Sequence, residues 1–158
     1  MRERKLVGLS IVLLAIMSCK DDVGITVSER FVANLSGANE RPAITTTATG
    51  TATFTYLSDI GSIFYRLDVA NIDSAFAAHI HGPAADTANA GVVVTLFSGQ
   101  KGLGFTGTLA QGIVGEAGAP SGMTQDSLLV LLRNGQAYVN VHTKAHGGGE
   151  IRGQVVKQ

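Results

Sequence analysis

The segment Ala78-His79-Ile80-His81-Gly82-Pro83 places two of the chain's four histidines two residues apart, just ahead of a turn. On an extended strand, residues i and i+2 project from the same face, about 6.6–7 Å apart. His79 and His81 therefore point together, while Ile80 points the other way into a core. Tyr138-Val139-Asn140-Val141-His142-Thr143 repeats the pattern. Val139 and Val141 supply the apolar face there, so Tyr138, Asn140 and His142 are expected to face outward or into a polar cleft. In Gly149-Glu150-Ile151-Arg152-Gly153, Ile151 is the core residue, and Glu150 and Arg152 share the opposite face. If these three strands are neighbours, His79, His81, His142, Glu150 and Arg152 converge.

A His-x-His pair joined by a third imidazole from another strand suits one copper or zinc ion. Neutral imidazole is the commonest metal ligand, and Zn–N bonds of about 2.0–2.1 Å are within reach of such a pair. His146, in the loop Lys144-Ala145-His146-Gly147-Gly148-Gly149, is either a fourth ligand or outside the site. Two other arrangements use the same residues. In one, Glu150, Arg152 and Asn140 form a hydrogen-bonded network that meets the histidines and braces the sheet. In the other, the histidines line a ligand groove.

Enzyme chemistry finds less support. Nucleophilic hydrolysis needs a serine or cysteine beside a base on a sharp turn. No Gly-x-Ser-x-Gly occurs, and Cys19 is the only cysteine. Glycosidases need paired carboxylates across a cleft, and no spacing pairs Glu40, Glu116 and Glu150. No basic tract appears, which argues against nucleic acid as a partner.

The elements that must position these groups are mostly strands. The chain has 158 residues, 45% hydrophobic, which suits one domain with one core. Residues 30–37, 49–58, 62–71, 76–82, 91–99, 104–112, 137–143 and 149–156 alternate or run apolar, bounded by Gly, Asn or Pro. Asp59-Ile60-Gly61-Ser62 fits a hairpin link. One segment departs from this pattern: Leu128, Leu129, Leu131 and Leu132 have helical spacing, Thr124 or Asp126 is available as a cap, and Asn134-Gly135 forms a stop. The expected fold is all-β: an antiparallel Greek-key sandwich or flattened barrel of about eight strands, with one short helix near 125–133 at the edge of the sheet system.

The amino terminus is expected to lie outside this domain. Arg2, Arg4 and Lys5 precede an apolar run from Leu6 to Met17, the pattern of a secretory signal and too short for a membrane span. The run ends in Ile16-Met17-Ser18-Cys19, which resembles the lipobox of bacterial lipoproteins. That resemblance implies a signal peptide over 1–18, a lipidated Cys19 as first mature residue, a linker over 19–28 and a β domain over 29–158. Lys20 after the cysteine resembles lipoproteins sent to the outer membrane, facing the periplasm or the cell surface. The whole chain carries 12 basic and 12 acidic residues; without residues 1–18, which hold Arg2, Glu3, Arg4 and Lys5, 9 basic face 11 acidic. More than one acyl chain, as lipoproteins carry, is what stable anchoring needs.

The segments LSGANERPAITTTATGTATF, AHIHGPA, GVVVTLF and NGQAYVNVHTKAHGGGEIRGQV, in this order, resemble the CHRD domain over about residues 30–156. That domain is named for chordin and also occurs alone in secreted bacterial proteins. The resemblance implies an all-β domain outside the cytoplasm. Its motif positions here are His79, His81, Gly82, Pro83, Tyr138, Asn140, His142, Glu150, Arg152 and Gly153. Chordin's cysteine-rich ligand-capture modules have no counterpart in this chain, so a growth-factor partner does not transfer. The expected function is a lipid-anchored envelope domain with a binding or adhesion role. The alternative is a mononuclear copper or zinc protein.

Overall fold

The computed structural model describes residues 27–115 and 123–158, so Cys19, the apolar run before it and Glu116 lie outside the described residues. Among the described residues, nine strands and one α-helix, besides a 3-10 turn at Gly37–Asn39, follow in chain order: β1 (Val27–Ser36), β2 (Thr49–Leu57), β3 (Ser62–Ile72), β4 (Ala75–His81), β5 (Val92–Ser98), β6 (Phe105–Ile113), α1 (Gln125–Arg133), β7 (Tyr138–Thr143), β8 (Ile151–Gln154) and β9 (Val156–Lys157). Eight pair in the order β5-β4-β7-β8-β1-β2-β3-β6, and β9 adds to β1. The ladders are antiparallel. The sheet rolls until its two ends approach. There the Tyr65 hydroxyl of β3 donates to the Leu96 carbonyl of β5 at 2.8 Å. The result is a nearly closed, flattened barrel with one helix, as the strand pattern predicts.

Period-two alternation accounts for the interior. On β3, Ile63, Tyr65, Leu67 and Val69 are buried, while Arg66 is exposed beside Asp68. Phe31, Ala33 and Leu35 on β1, with Ala52 and Phe54 on β2, continue the same core. The β2–β3 hairpin closes through residues 58–61, with Gly61 at φ 62, a backbone region that suits glycine. Only Asp73 and Ser74 separate β3 from β4. β4 nevertheless pairs with β5 and β7 rather than with β3. The chain crosses from one layer of the flattened barrel to the other at this point, and Asn71 (φ 56) and Ser74 (φ 53) make the corner.

Two details differ from the sequence pattern. The segment expected as one strand over 149–156 is split at Val155, which is fully buried and donates its N–H to the Ala137 carbonyl. The helix lies across an end of the barrel rather than along a sheet edge. Gln125 bridges the Ile63 N–H and the Val114 carbonyl, each at 3.2 Å, tying α1 to the ends of β3 and β6. A sheet that curls on itself leaves its open ends, more than its edges, in need of apolar cover.

The helix signals hold in detail. Thr124 Oγ1 accepts from the Ser127 N–H at 3.2 Å. Asn134 closes the C-terminus, followed by Gly135 at φ 62. Leu128, Leu129 and Leu132 face the barrel, and Val130 is 49% exposed. Truncation of Leu132 to alanine is expected to lower stability by about 2–5 kcal/mol. Val130→Ala is expected to change it by no more than about 0.5 kcal/mol. Urea unfolding of the two variants checks the assignment of the helix's buried face.

Candidate metal centre

Apart from the exposed Phe76 and the half-buried His79, β4 is buried on both sides, for different reasons. Ala78 and Ile80 point into the apolar core at 0% exposure. Ala77, His79 and His81 point to the outer side of the barrel, where β7 places His142, Asn140 and Tyr138 opposite them in turn. Residues directly opposite on an antiparallel pair share a face. β8 continues the row by pairing Asn140 with Arg152 and Tyr138 with Gln154. All six residues of β7 are buried. The outer face of β4, β7 and β8 is therefore a covered polar layer and not the open face or cleft that alternation alone suggests. Loop residues supply the cover, through contacts to Glu40, Ala85–Asn89 and Gly147.

The three histidines meet in this layer. One ring nitrogen from each of His79, His81 and His142 lies within 4.8 Å of the other two. Their tautomers follow from their partners. His81 Nδ1 is 2.9 Å from the Ala90 carbonyl, and His142 Nδ1 is 3.0 Å from the Gly147 carbonyl. A carbonyl only accepts, so both Nδ1 atoms carry the proton and both Nε2 atoms keep a lone pair. His142 Nε2 accepts from His79 Nδ1 at 2.9 Å. His81 Nε2 is buried and has no hydrogen-bond partner among the described residues.

Burial keeps these imidazoles neutral. His79 is pushed down to about 4, first by burial and then by repulsion from His142 and His81. Burial likewise lowers His81 and His142, against the pull of their carbonyl partners. A neutral ring with a fixed Nδ1–H and a free Nε2 is the form that ligates a metal, and the carbonyl that holds the proton also orients the ring. His146 is not in the cluster; its backbone N–H and carbonyl close a turn with Thr143.

The other polar residues are placed differently. Glu150 accepts from Thr46 Oγ1 and Thr143 Oγ1, both at 2.7 Å. Arg152 donates to Asn89 Oδ1 at 2.8 Å, to the Ala88 carbonyl at 2.7 Å, and to the Ala85 and Asp86 carbonyls at 3.4 Å. Neither residue hydrogen-bonds an imidazole. Arg152 instead lies with Cζ 3.5 Å from the Tyr138 ring centroid, and Tyr138 stacks on His81 at 4.8 Å with 2° between planes. Glu150 and Arg152 therefore act on the histidines by shaping the cover and through the stack.

Alternation and spacing do not disclose the role of Glu40. It is 5% exposed and accepts from Asn140 Nδ2 at 2.7 Å. A Cβ at Gly149 (φ 132) would sit 2.0 Å from Asn140 Nδ2 and 2.5 Å from Glu40 Oε1. The triple glycine at 147–149 thus has one member, Gly149, that this contact requires. Glu40 lies between Asn39 and Arg41, 100 residues from its partner in the chain, which no local pattern links.

The CHRD domain matches this chain over residues 31–155. The chain belongs to the CHRD domain family. The matched span runs from within β1 past the end of β8 and contains every residue of the histidine cluster. No curated protein and no solved structure matches this CHRD chain significantly.

Burial raises the Glu40 carboxyl to about 7, against the pull of Arg152 and its hydrogen bonds to Arg41 and Asn140. A carboxyl raised on folding favours the folded state fully below its unfolded value of about 4.5. That contribution is lost as pH rises from there through about 7, a fall on the order of 3 kcal/mol. Glu40→Gln keeps an oxygen for Asn140 and has no charge to bury. The variant is expected to lack this part of the decline in urea midpoint between pH 4.5 and 8. Parallel profiles for wild type and variant would refute the assignment.

Proposed function

We propose that this CHRD domain is a lipid-anchored cell-envelope protein that binds one copper or zinc ion through His79, His81 and His142. The observation that carries the metal reading is a cluster of three imidazoles with ligand nitrogens within 4.8 Å, in which carbonyls lock the His81 and His142 rings and His81 Nε2 is buried without a partner among the described residues. An orphaned buried acceptor is rare in folded proteins and asks for a missing ligand. Metal–nitrogen bonds of about 2.0–2.1 Å set ligand nitrogens roughly 3.4 Å apart in a tetrahedral site. The 2.9 Å contact between His79 and His142 would open slightly, and His79 would give up its hydrogen bond to present a lone pair. His79 is the least buried of the three, so this side chain has the most room to adjust.

Domain protein purified without a histidine tag is expected to bind one equivalent of Cu²⁺ or Zn²⁺. A His79→Ala, His81→Ala double variant with an unchanged circular dichroism spectrum is expected to bind none. Failure of the wild type to retain either ion after incubation would remove the proposal.

Envelope anchoring rests on a separate observation, the Ile16-Met17-Ser18-Cys19 sequence after the apolar run. A binding or adhesion role at the outer membrane fits this placement and the lack of a nucleophile–base pair in the sequence. In cells given labelled fatty acid, the wild type is expected to take up label and partition into detergent. Cys19→Ala is expected to do neither. Equal labelling of both would count against the anchor.

A further inference from the structure

The covered polar layer buries a cation that is paired directly with no carboxylate among the described residues, although Glu40 and Asp86 act on it through space. Arg152 is 1% exposed. Its hydrogen bonds go to three backbone carbonyls and the Asn89 amide oxygen. No ion pair among the described residues includes it. A buried charge without a direct ion pair opposes folding, so its place beside a cluster of metal-ligating groups calls for a reason.

The position of Arg152 supplies one. The guanidinium stacks on Tyr138, and Tyr138 stacks on His81, so a fixed positive charge stands behind one of the three rings. The cluster itself contains no carboxylate and no thiolate. Glu150 is occupied by two threonine hydroxyls, and Glu40, raised to about 7, carries only part of a charge near neutral pH. Nothing in the ligand set offsets the charge of an incoming ion. Repulsion from Arg152 grows in proportion to that charge, so it is twice as large for a divalent ion as for a monovalent one. Coordination number acts in the same direction. Zn²⁺ favours four ligands and Cu²⁺ a tetragonal set. Here three imidazoles are available, and His81 and His142 are 8% and 9% exposed.

We infer that the juxtaposition of Arg152, Tyr138 and His81 makes the three-histidine cluster a cuprous site, taking Cu⁺ in preference to Zn²⁺ and Cu²⁺. This inference rests on the metal reading above and adds the ion's charge state and the residue that selects it.

Anaerobic competition against a cuprous chelator such as bicinchoninate, with parallel chelator titrations of Zn²⁺ and Cu²⁺ at the same pH, ranks the three affinities. The wild type is expected to hold Cu⁺ most tightly. Arg152→Gln keeps a donor for the loop carbonyls without the charge, and is expected to shrink the preference for Cu⁺ over Zn²⁺ by about tenfold, the effect of a unit charge within about 10 Å at partly screened strength. Arg152→Lys is expected to keep most of the preference. If the wild type binds metal but favours Zn²⁺ or Cu²⁺, the inference falls while the metal reading stands. If none of the three ions binds, both fall. A folded Arg152→Gln protein with an unchanged ranking removes Arg152 as the selector. Should both variants unfold, the wild-type ranking still decides whether the site is cuprous.

Discussion

The side chain of Arg152 is the tie on which the polar half of this fold depends. Its donors gather the carbonyls of Ala85, Asp86 and Ala88 and the amide of Asn89 onto the outer face of β8. That brings Ala90 over β4, where its carbonyl fixes the His81 tautomer and its N–H reaches the Tyr138 hydroxyl at 3.2 Å. A single guanidinium with several fixed donors can organise a loop in a way that the point charge of a lysine cannot. The loop then shields the imidazoles from water and keeps them neutral. For His81, loop order, ring orientation and protonation state thus trace back to one residue, while His142 is set by the Gly147 carbonyl.

Two packing regimes meet along β4 and β7. On the inner side, Ala78, Ile80, Val139 and Val141 join a core held by apolar burial, which is non-directional and tolerates exchange of similar volumes. The outer side is held by hydrogen bonds of defined direction, among them Asn140 to Glu40 and Thr143 to Glu150. Such networks specify a unique arrangement when satisfied and are costly when a member is left open. Among the described residues the open atoms here are His81 Nε2, Asn140 Oδ1 and Gln154 Oε1. Of these, only His81 belongs to a cluster of metal-ligating groups, which gives its open nitrogen a binding role.

The two sides differed in how far the sequence disclosed them. Alternation at period two was enough to place Ile63, Leu67 and Val69 inside, and to put His79, His81 and His142 on same-facing positions. The helix was marked by local chemistry, with Thr124 as cap and Asn134-Gly135 as stop. The cover over the outer face was not legible, because it depends on pairs far apart in the chain: Glu40 with Asn140, Thr46 with Glu150, Asn89 with Arg152. Alternation assigns a polar residue to the non-core face but does not say whether solvent or another segment lies beyond it. The same limit hid the stack of Arg152 on Tyr138 and Tyr138 on His81. The helix's location failed for a related reason, since the closeness of β5 and β6 is a property of the whole sheet and not of either strand.

A strand enclosed on both sides has little mutational freedom. β7 has no solvent-facing position from Tyr138 to Thr143, so each substitution there meets either the tightly packed hydrocarbon interior or the directional network above it. Drift in this family should therefore collect on strands with a wet side, such as β3 and β6. This hexapeptide should change slowly even where no ion is ever bound.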